Sequence, residues 1–527
     1  MDGSTLSGAT GAVSPAAAAG GDTGWPPSLE DQQDMQGLIM SGYFHLPHAA
    51  FLLLSLRPAG AGPHDPAPHA ARAWLGAVAD RVTDGDARDP ECLNVAVTAA
   101  GLRALSLADA ALEQFARPFV VGMACRSRFL GDDEDGAVPK DWRWRGGVDG
   151  KPDVPGTVHA LLMVYAQDKD ALAAALGRER GLLAAAGVRE VAAIPLAPFA
   201  ETEWPDPRTG ERVAARREPF GFADGGSQPV LMDYAAGAAR GWGRHGIAAG
   251  DVVLGRLNAY GESGPGILVG GSDHETHALR RARRAGDALH DLGRNGTYLV
   301  LRQVRQDVAA FWRDVAEQAA RFGVKAEWLA EKLVGRTLNG DVLQPGGPRP
   351  RAADGGPDNE FDFYAGDRTG RGCPVGSHIR RANPRDGLTP PEHDGSPDEI
   401  RQAVNRHRIL RRGRPYGPPS PGPGAAEGEA DAVERGLAFV CLNADIERQF
   451  EFIQHTWLNN RMFAALQDET DGLVGPPGPV TIPADPVRLR PVLQQHVTPV
   501  GGEYFFLPSR SALRYLAGLP LHAARAA

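Results

Sequence analysis

The clearest pattern in the chain is a short apolar run followed by an amphipathic helix, and it occurs four times. The runs and the helices that follow them are 49–56 with 69–81, 159–166 with 170–186, 297–304 with 308–322, and 436–442 with 446–459. In the third helix Val308, Phe311, Val315, Ala319 and Phe322 recur at three- and four-residue spacing, which is typical of one buried helical face. Two such units with one more strand each make a βαββαβ domain, so the pattern predicts an α+β protein of two tandem ferredoxin-like domains.

Compositional shifts divide the chain around these units. Residues 1–30 are mostly small and polar, offer little to a hydrophobic core, and are predicted to be a disordered tail. We place an N-terminal domain at 31–215 and a C-terminal domain at 216–520. Two Pro/Gly-rich segments of the second domain, near 344–357 and 413–428, have no periodic apolar face and are predicted to be exposed loops or insertions.

Composition and charge change this picture by arguing against several classes of protein. The 527 residues carry 56 Lys and Arg against 65 Asp and Glu, a net charge of −9, which argues against a nucleic-acid partner. The longest apolar run, 49–56, is far shorter than the roughly 20 residues of a membrane helix, so no membrane span is expected. The first basic residue is Arg57, so no export signal is recognisable and a cytoplasmic protein is expected. The four cysteines lack the spacing of a zinc ribbon or a redox dithiol.

Three strings in the C-terminal half carry candidate chemistry. They are Gly-Phe-Ala-Asp-Gly at 221–225, Cys-Pro-Val-Gly-Ser-His-Ile-Arg at 373–380, and Leu-Arg-Arg-Gly-Arg-Pro-Tyr-Gly at 410–417. Taken singly, each has an ordinary structural interpretation. Asp followed by Gly favours a turn, a lone His is more often a hydrogen-bonding residue than a ligand, and arginines are usually at the surface.

Together and in this order, the three strings resemble the dye-decolourising peroxidase family, and the likeness extends over roughly residues 31–517. The resemblance implies two ferredoxin-like domains with one haem b in the C-terminal domain. It further implies that His378 is the iron ligand, that Asp224 is the acid on the open side of the haem, and that Arg411 lies beside that acid. Arg412 directly follows Arg411, but the spacing to the Pro-Tyr-Gly string favours Arg411.

The resemblance assigns a task to each of these side chains. A peroxidase needs iron with one open face, so the His378 imidazole would bind one side and leave the other free for peroxide. Asp224 would move a proton between the two peroxide oxygens, and Arg411 would stabilise the charge that develops as their bond breaks. Asp445 is a candidate to accept a hydrogen bond from the second nitrogen of His378, although it would equally suit an N-cap of the helix that follows it.

The function that the resemblance implies is an oxidoreductase: a haem peroxidase that reduces hydrogen peroxide and oxidises aromatic donors, such as phenols and dyes, one electron at a time. The alternatives are a haem carrier or storage protein without turnover and a protein that releases iron from haem, both using the same pocket. Simple binding requires neither Asp224 nor Arg411, which favours the peroxidase. A homo-oligomer is compatible with the sequence, which does not identify the physiological donor.

Overall fold

The computed structural model of the chain describes residues 25–519 except 59–64, 133–138, 149–150, 152, 155, 199–200, 206–209, 211, 271–278, 280–288, 350–357, 391, 393–395, 420–421, 424–432 and 485–486. Most of the predicted tail, residues 1–24, thus lies outside the described residues. The first helix of the described residues begins at Leu29. Ser28 caps this helix by accepting a hydrogen bond from the Asp31 N–H at 3.2 Å.

The twenty strands of the described residues are numbered in chain order. They are β1 (His48–Ser55), β2 (Glu91–Val97), β3 (Trp144–Arg145), β4 (Ala160–Ala166), β5 (Arg189–Leu196), β6 (Glu201–Pro205), β7 (Arg212–Arg216), β8 (Val230–Met232), β9 (Gly246–Ala248), β10 (Leu268–Gly270), β11 (Leu289–Asp291), β12 (Thr297–Gln306), β13 (Val342–Gln344), β14 (Gly347–Arg349), β15 (Leu410–Arg411), β16 (Arg414–Tyr416), β17 (Gly436–Asn443), β18 (Gly478–Pro479), β19 (Val492–Leu493) and β20 (Val497–Leu507).

Eight of these strands form one closed, antiparallel ring. Their order is β12, β17, β16, β5, β1, β4, β2 and β20, and β20 pairs with β12 again. The first half of the chain supplies β5-β1-β4-β2 and the second half supplies β20-β12-β17-β16. Each quartet therefore has the spatial order fourth-first-third-second of a ferredoxin-like unit. The halves join where Tyr416 lies opposite Leu196 and where Val97 lies opposite Phe506.

The alternation of side chains along β1 explains why its apolar run is continuous. Phe51 and Leu53 of β1 pack in one buried cluster with Leu299, Leu301 and Phe505 of the second half of the chain. The neighbouring β1 residues on the opposite face belong to another buried cluster, which includes side chains of the helices. Both faces of β1 are therefore covered, which favours a continuous apolar run over an alternating one.

The α-helices of the described residues cover the outside of this ring or lie in the loops. They are α1 (Leu29–Asp34), α2 (Gly37–Met40), α3 (His69–Arg81), α4 (Ala99–Ala104), α5 (Asp109–Leu112), α6 (Arg117–Val121), α7 (Ser127–Leu130), α8 (Lys169–Ala185), α9 (Tyr234–Arg240), α10 (Val308–Phe322), α11 (Ala326–Val334), α12 (His378–Ala382), α13 (Pro397–Asn405) and α14 (Arg510–Gly518). The fourth predicted helix is two consecutive π-helical segments, Glu447–Glu451 and Ile453–Leu458. No described helix is both long and apolar enough to cross a membrane.

The two Pro/Gly-rich segments differ in part from the predicted loops. The described start of the first segment belongs to the β13–β14 hairpin. The second segment begins with core structure, because β16 lies within the ring and the Arg414 side chain is buried. Arg414 donates hydrogen bonds to the Tyr43 and Leu46 carbonyls at 2.7 and 2.6 Å, which accounts for a charged residue in this position.

The predicted division at residues 215 and 216 falls within strand β7, which pairs with β6 in a hairpin. The ring unites strands of both halves in one sheet. The domain bounds therefore stay a prediction from the sequence.

Candidate functional site

A cavity of about 850 Å³ lies against the second half of the ring. Its walls come from β12, β17 and β20, from α12, and from loops that include residues 222–228. Three of the four residues that the sequence marks for chemistry, His378, Asp224 and Arg411, line this one cavity, and Asp445 does not. The volume is within the range of about 300–1,000 Å³ that is usual for ligand and cofactor sites.

His378 is the first residue of α12, and its position is fixed by a buried carboxylate. Its Nδ1 lies 3.0 Å from Oδ2 of Asp471, whose side chain is fully buried. Burial lowers the pKa of His378, but the charge of Asp471 and its hydrogen bond to the imidazole together outweigh burial, so that the pKa is raised overall. The imidazole is 32% exposed within the cavity wall. With the Nδ1 proton donated to Asp471, Nε2 is the atom that can bind a metal.

The prediction that Asp445 partners His378 is wrong. The Asp445 carboxylate is 46% exposed and accepts a hydrogen bond from the Arg448 N–H at 2.9 Å, which caps the first π-helical turn. Its second oxygen pairs with the Arg448 guanidinium at 3.4 Å. Asp445 thus has the capping role, and Asp471 takes the place beside His378.

Sequence reasoning missed Asp471, and no local signal marks it. It lies 93 residues after His378 and precedes a glycine, so alone it indicates a turn. That turn exists, since the other Asp471 oxygen accepts the Leu473 and Val474 N–H groups at 2.9 and 3.0 Å. These bonds and the imidazole hold the pKa of Asp471 below its ordinary value despite its burial.

A fully buried arginine, Arg381, helps to anchor the short helix that carries His378. Five residues are too few for a stable isolated helix. The fully buried Arg381 donates hydrogen bonds to the carbonyls of Gly376, Trp457, Asn460 and Glu469 at 2.8–3.2 Å. It thereby ties α12 to the π-helical segments and to the loop that leads to Asp471.

The second half of the site is the pair of Asp224 and Arg411. Arg411 Nη1 lies 3.3 Å from Asp224 Oδ1, and the two side chains are 36% and 28% exposed. Arg411 Nη2 also donates to the Ser227 carbonyl at 3.0 Å. The chain turns sharply after Asp224, where Gly225 has a φ of +84° that favours glycine, and the Gly225 N–H donates to Asp224 Oδ1 at 2.6 Å.

The neighbouring arginine makes different contacts. Arg412 donates through Nε to the Leu38 carbonyl at 2.8 Å and through Nη2 to the Ile39 carbonyl at 2.9 Å. Its guanidinium is thereby engaged with the N-terminal part of the chain. Of the two arginines, the structure places Arg411 against Asp224.

Another carboxylate of the cavity shapes the loop before Asp224. Glu218 accepts hydrogen bonds from the N–H groups of Phe220 and Phe222 at 3.0 and 2.9 Å and from the Gln306 amide at 2.8 Å. Burial raises the pKa of Glu218 to about 7. The turn that leads to Asp224 is therefore built around this side chain.

Comparisons with known proteins agree with the motifs. The chain matches no protein-family model. It is 30% identical over 322 residues to the dye-decolorizing peroxidase msp1 of Mycetinis scorodonius. The aligned residues make up 56% of each chain. It is 29% identical over 321 residues to the multifunctional dye peroxidase DyP2 of an Amycolatopsis species. The aligned residues make up 57% of this chain and 61% of that protein. The resemblance to the dye-decolourising peroxidase family is confirmed. The chain spans 56% and 61% of the lengths of these two relatives of the family.

Solved structures from the dye-decolourising peroxidase family share the fold. A DyP-type peroxidase from an Anabaena species has a TM-score of 0.68 at 23% identity and covers 92% of this chain and 95% of its own. A fungal DyP-type peroxidase from Auricularia auricula-judae has a TM-score of 0.67 at 22% identity and covers 93% and 99%. The predicted α+β, ferredoxin-like fold is confirmed by this likeness.

Proposed function

We propose that the protein is a haem b peroxidase that reduces hydrogen peroxide and oxidises aromatic donors, such as phenols and dyes, by one-electron steps. The observation that carries the proposal is that one cavity holds both an imidazole backed by a carboxylate and a paired acid and arginine. One haem would be bound per chain, in the part that follows residue 216, because all these side chains come from that part. The names of the curated relatives support a dye peroxidase.

The residues of the cavity fit a haem. His378 offers one imidazole nitrogen as an iron ligand, and the apolar lining includes Val304, Ile379 and Phe450. Haem also carries two carboxylates, and the cavity wall contains buried arginines to receive them.

Arg408 is the most informative of these arginines. It is buried, and its Nη1 has no hydrogen-bond partner among the described residues, while Nη2 makes a long contact of 3.4 Å with Ser227 Oγ. Among the described residues Arg385 donates hydrogen bonds only to uncharged groups, which include the Asn359 and Phe361 carbonyls. Burial lowers the pKa of Arg408 to about 10 and that of Arg385 to about 9. A buried guanidinium without a counter-ion is costly, so an anionic ligand would stabilise Arg408, and it would add to the weak electrostatic support that Asp362 and Glu360 give Arg385.

Different side chains of the cavity would perform different parts of the reaction with peroxide. When bound, the haem supplies the redox chemistry that accepts electrons from the donor and passes them to peroxide. The Asp224 carboxylate would take a proton from one peroxide oxygen and return it to the other, so that water leaves. The Arg411 guanidinium would stabilise the negative charge that develops on the departing oxygen. Asp471 would keep the His378 Nδ1 proton in place and so hold Nε2 in its ligand form.

The proposal is tested with Asp224→Asn and Arg411→Leu, because both residues would act on peroxide and neither would bind iron. We expect both variants to keep haem. The rate of reaction with peroxide, measured by stopped flow, should fall by about 10² to 10⁴ in Asp224→Asn and by about 10² to 10³ in Arg411→Leu. The defect of Asp224→Asn should shrink as the pH rises, because peroxide anion needs no base, whereas that of Arg411→Leu should persist.

The matched control is Arg461→Leu, which removes a 60% exposed arginine outside the cavity lining and should react at the wild-type rate. Haem binding by the wild type without any reaction with peroxide would contradict a peroxidase and favour a haem carrier. Release of iron and a metal-free tetrapyrrole, detected by mass spectrometry, would favour the iron-releasing alternative instead.

A further inference from the structure

Gln228 forms a two-point contact with the main chain of Arg411, 183 residues away. The Arg411 N–H donates to Oε1 of Gln228 at 3.1 Å. The Nε2 of Gln228 donates in turn to the Arg411 carbonyl at 3.1 Å. The side-chain amide thus satisfies both polar groups of one main-chain residue, as the adjacent strand of a sheet would.

The strand geometry explains why the N–H and C=O groups of Arg411 are free to bind a side chain. Arg411 ends β15, which pairs with β17, and the following Arg412 N–H donates to the Val440 carbonyl at 2.8 Å. Because successive residues of a strand direct their N–H and C=O groups to opposite sides, those of Arg411 face away from β17. No other strand of the described residues pairs with this edge of β15, and Gln228 occupies it.

The same loop also holds the Arg411 side chain. Asp224 and Ser227 contact the guanidinium at 3.3 and 3.0 Å, and Gln228 contacts the main chain. Arginine has a long, flexible side chain that loses rotamer freedom when its guanidinium is held in one position. The position of its guanidinium therefore depends on how firmly its own main chain is tied to the loop that carries Asp224.

We propose that Gln228 is a positioning residue for the peroxide reaction: its amide fixes the Arg411 main chain to the 224–228 loop and thereby sets the placement of the Arg411 guanidinium against Asp224. The inference rests on the proposed function, which gives these two side chains their task. An amide suits the position because the contact needs one donor and one acceptor, whereas a carboxylate offers acceptors only.

Two substitutions test this role. Gln228→Met keeps the length of the side chain and removes both hydrogen bonds. Gln228→Glu keeps the acceptor for the Arg411 N–H but places negative charge against the Arg411 carbonyl. The control is Gln402→Met, which removes an exposed amide on α13.

Each protein is purified with bound haem, its crystal structure is determined, and its two half-reactions are separated by stopped flow. In both Gln228 variants we expect the Arg411 guanidinium to move away from Asp224. Because a misplacement of about 1 Å can cost 10²-fold, the reaction with peroxide should slow about 10- to 100-fold. Haem content and the rate of the later oxidation of the donor should stay within twofold of wild type. The thermal midpoint should stay within a few degrees, and the ferric absorption spectrum should be unchanged. A loss of folding alone would lower all of these quantities together, not the peroxide rate alone.

The proposal is overturned if Gln228→Met leaves the Arg411 position and the peroxide rate unchanged, or if all rates and the thermal midpoint fall together. A wild-type haem protein that does not react with peroxide would overturn the proposed function instead. In that case the crystal structures of the variants still decide whether Gln228 positions Arg411.

Discussion

At the scale of single residues, the pairing of His378 with Asp471 has the most direct consequence for haem binding. We expect His378→Ala to fold but to be purified with little haem, because the chain then lacks its imidazole ligand. Asp471→Asn should retain the ligand but weaken haem affinity by about 10- to 100-fold, as is usual when a metal-bound histidine loses its carboxylate partner. Haem per protein is measured by absorbance, and affinity by transfer of haem to apomyoglobin.

The control for this pair is His455→Ala. His455 is exposed, its Nδ1 lies 3.0 Å from the Phe129 carbonyl, and the two rings are stacked. We expect its haem content and affinity to match wild type. A His378→Ala protein with a full haem complement would refute the assignment of the ligand.

At the scale of elements, His159 links the end of β1 to the start of β4. Its Nδ1 accepts the Leu56 N–H at 3.1 Å, and its Nε2 donates to Asp153 at 2.8 Å. Asp153 also pairs with Arg57, which donates to the Asp65 carbonyl at 2.6 Å. A neutral imidazole thus joins two strands and the loops beside them.

This contact predicts a loss of stability in acid. Burial lowers the pKa of His159, although Asp153 opposes the shift, while the charges of Arg57 and Arg189 add to it. In the unfolded chain a histidine takes up a proton below pH of about 6.5, whereas the folded state resists it. The free energy of unfolding should therefore fall as the pH drops below that value, by at most about 1.4 kcal/mol per pH unit for this proton.

His159→Gln should reduce that slope, because glutamine can accept from Leu56 and donate to Asp153 without titrating. Urea unfolding between pH 7 and pH 5 measures the slope for wild type and variant. His455→Gln is the control and should keep the wild-type slope. An equal slope in wild type and His159→Gln would show that other groups cause the acid sensitivity.

At the scale of the whole molecule, the closed ring makes the two halves of the chain depend on each other. The cluster that contains Phe51, Leu53, Leu299 and Leu301 draws side chains from both halves. Separation would also expose unpaired edges of β2, β5, β16 and β20, which is unfavourable. The ring is thus expected to behave as one cooperative unit.

We therefore predict that β1 and β12 open with the same free energy, close to that of global unfolding. Native-state hydrogen exchange measures this, and coincident urea transitions by circular dichroism and tryptophan fluorescence provide a second check. Strong protection in β1 with fast exchange in β12 would show instead that the halves unfold independently.

The amino-acid sequence by itself determined several of the elements and three of the chemical groups of the site. Helices α3 and α10 agree with their predicted bounds, and strands β1, β4, β12 and β17 lie within a residue or two of theirs. These elements have periodic or continuous apolar patterns, and such patterns report burial directly. His378, Asp224 and Arg411 were identified because each belongs to a contiguous string, and the structure brings all three to one cavity.

Only the tertiary structure decided which groups meet across the chain. Asp471 replaces Asp445 beside His378, Gln228 contacts Arg411, and the Pro/Gly-rich segment near 413 begins as a ring strand. Each of these contacts joins residues far apart in sequence. An Asp or Gln in a loop has the same local sequence pattern whether its side chain faces solvent or a buried partner. Their roles follow from the approach of distant segments, which local periodicity does not encode.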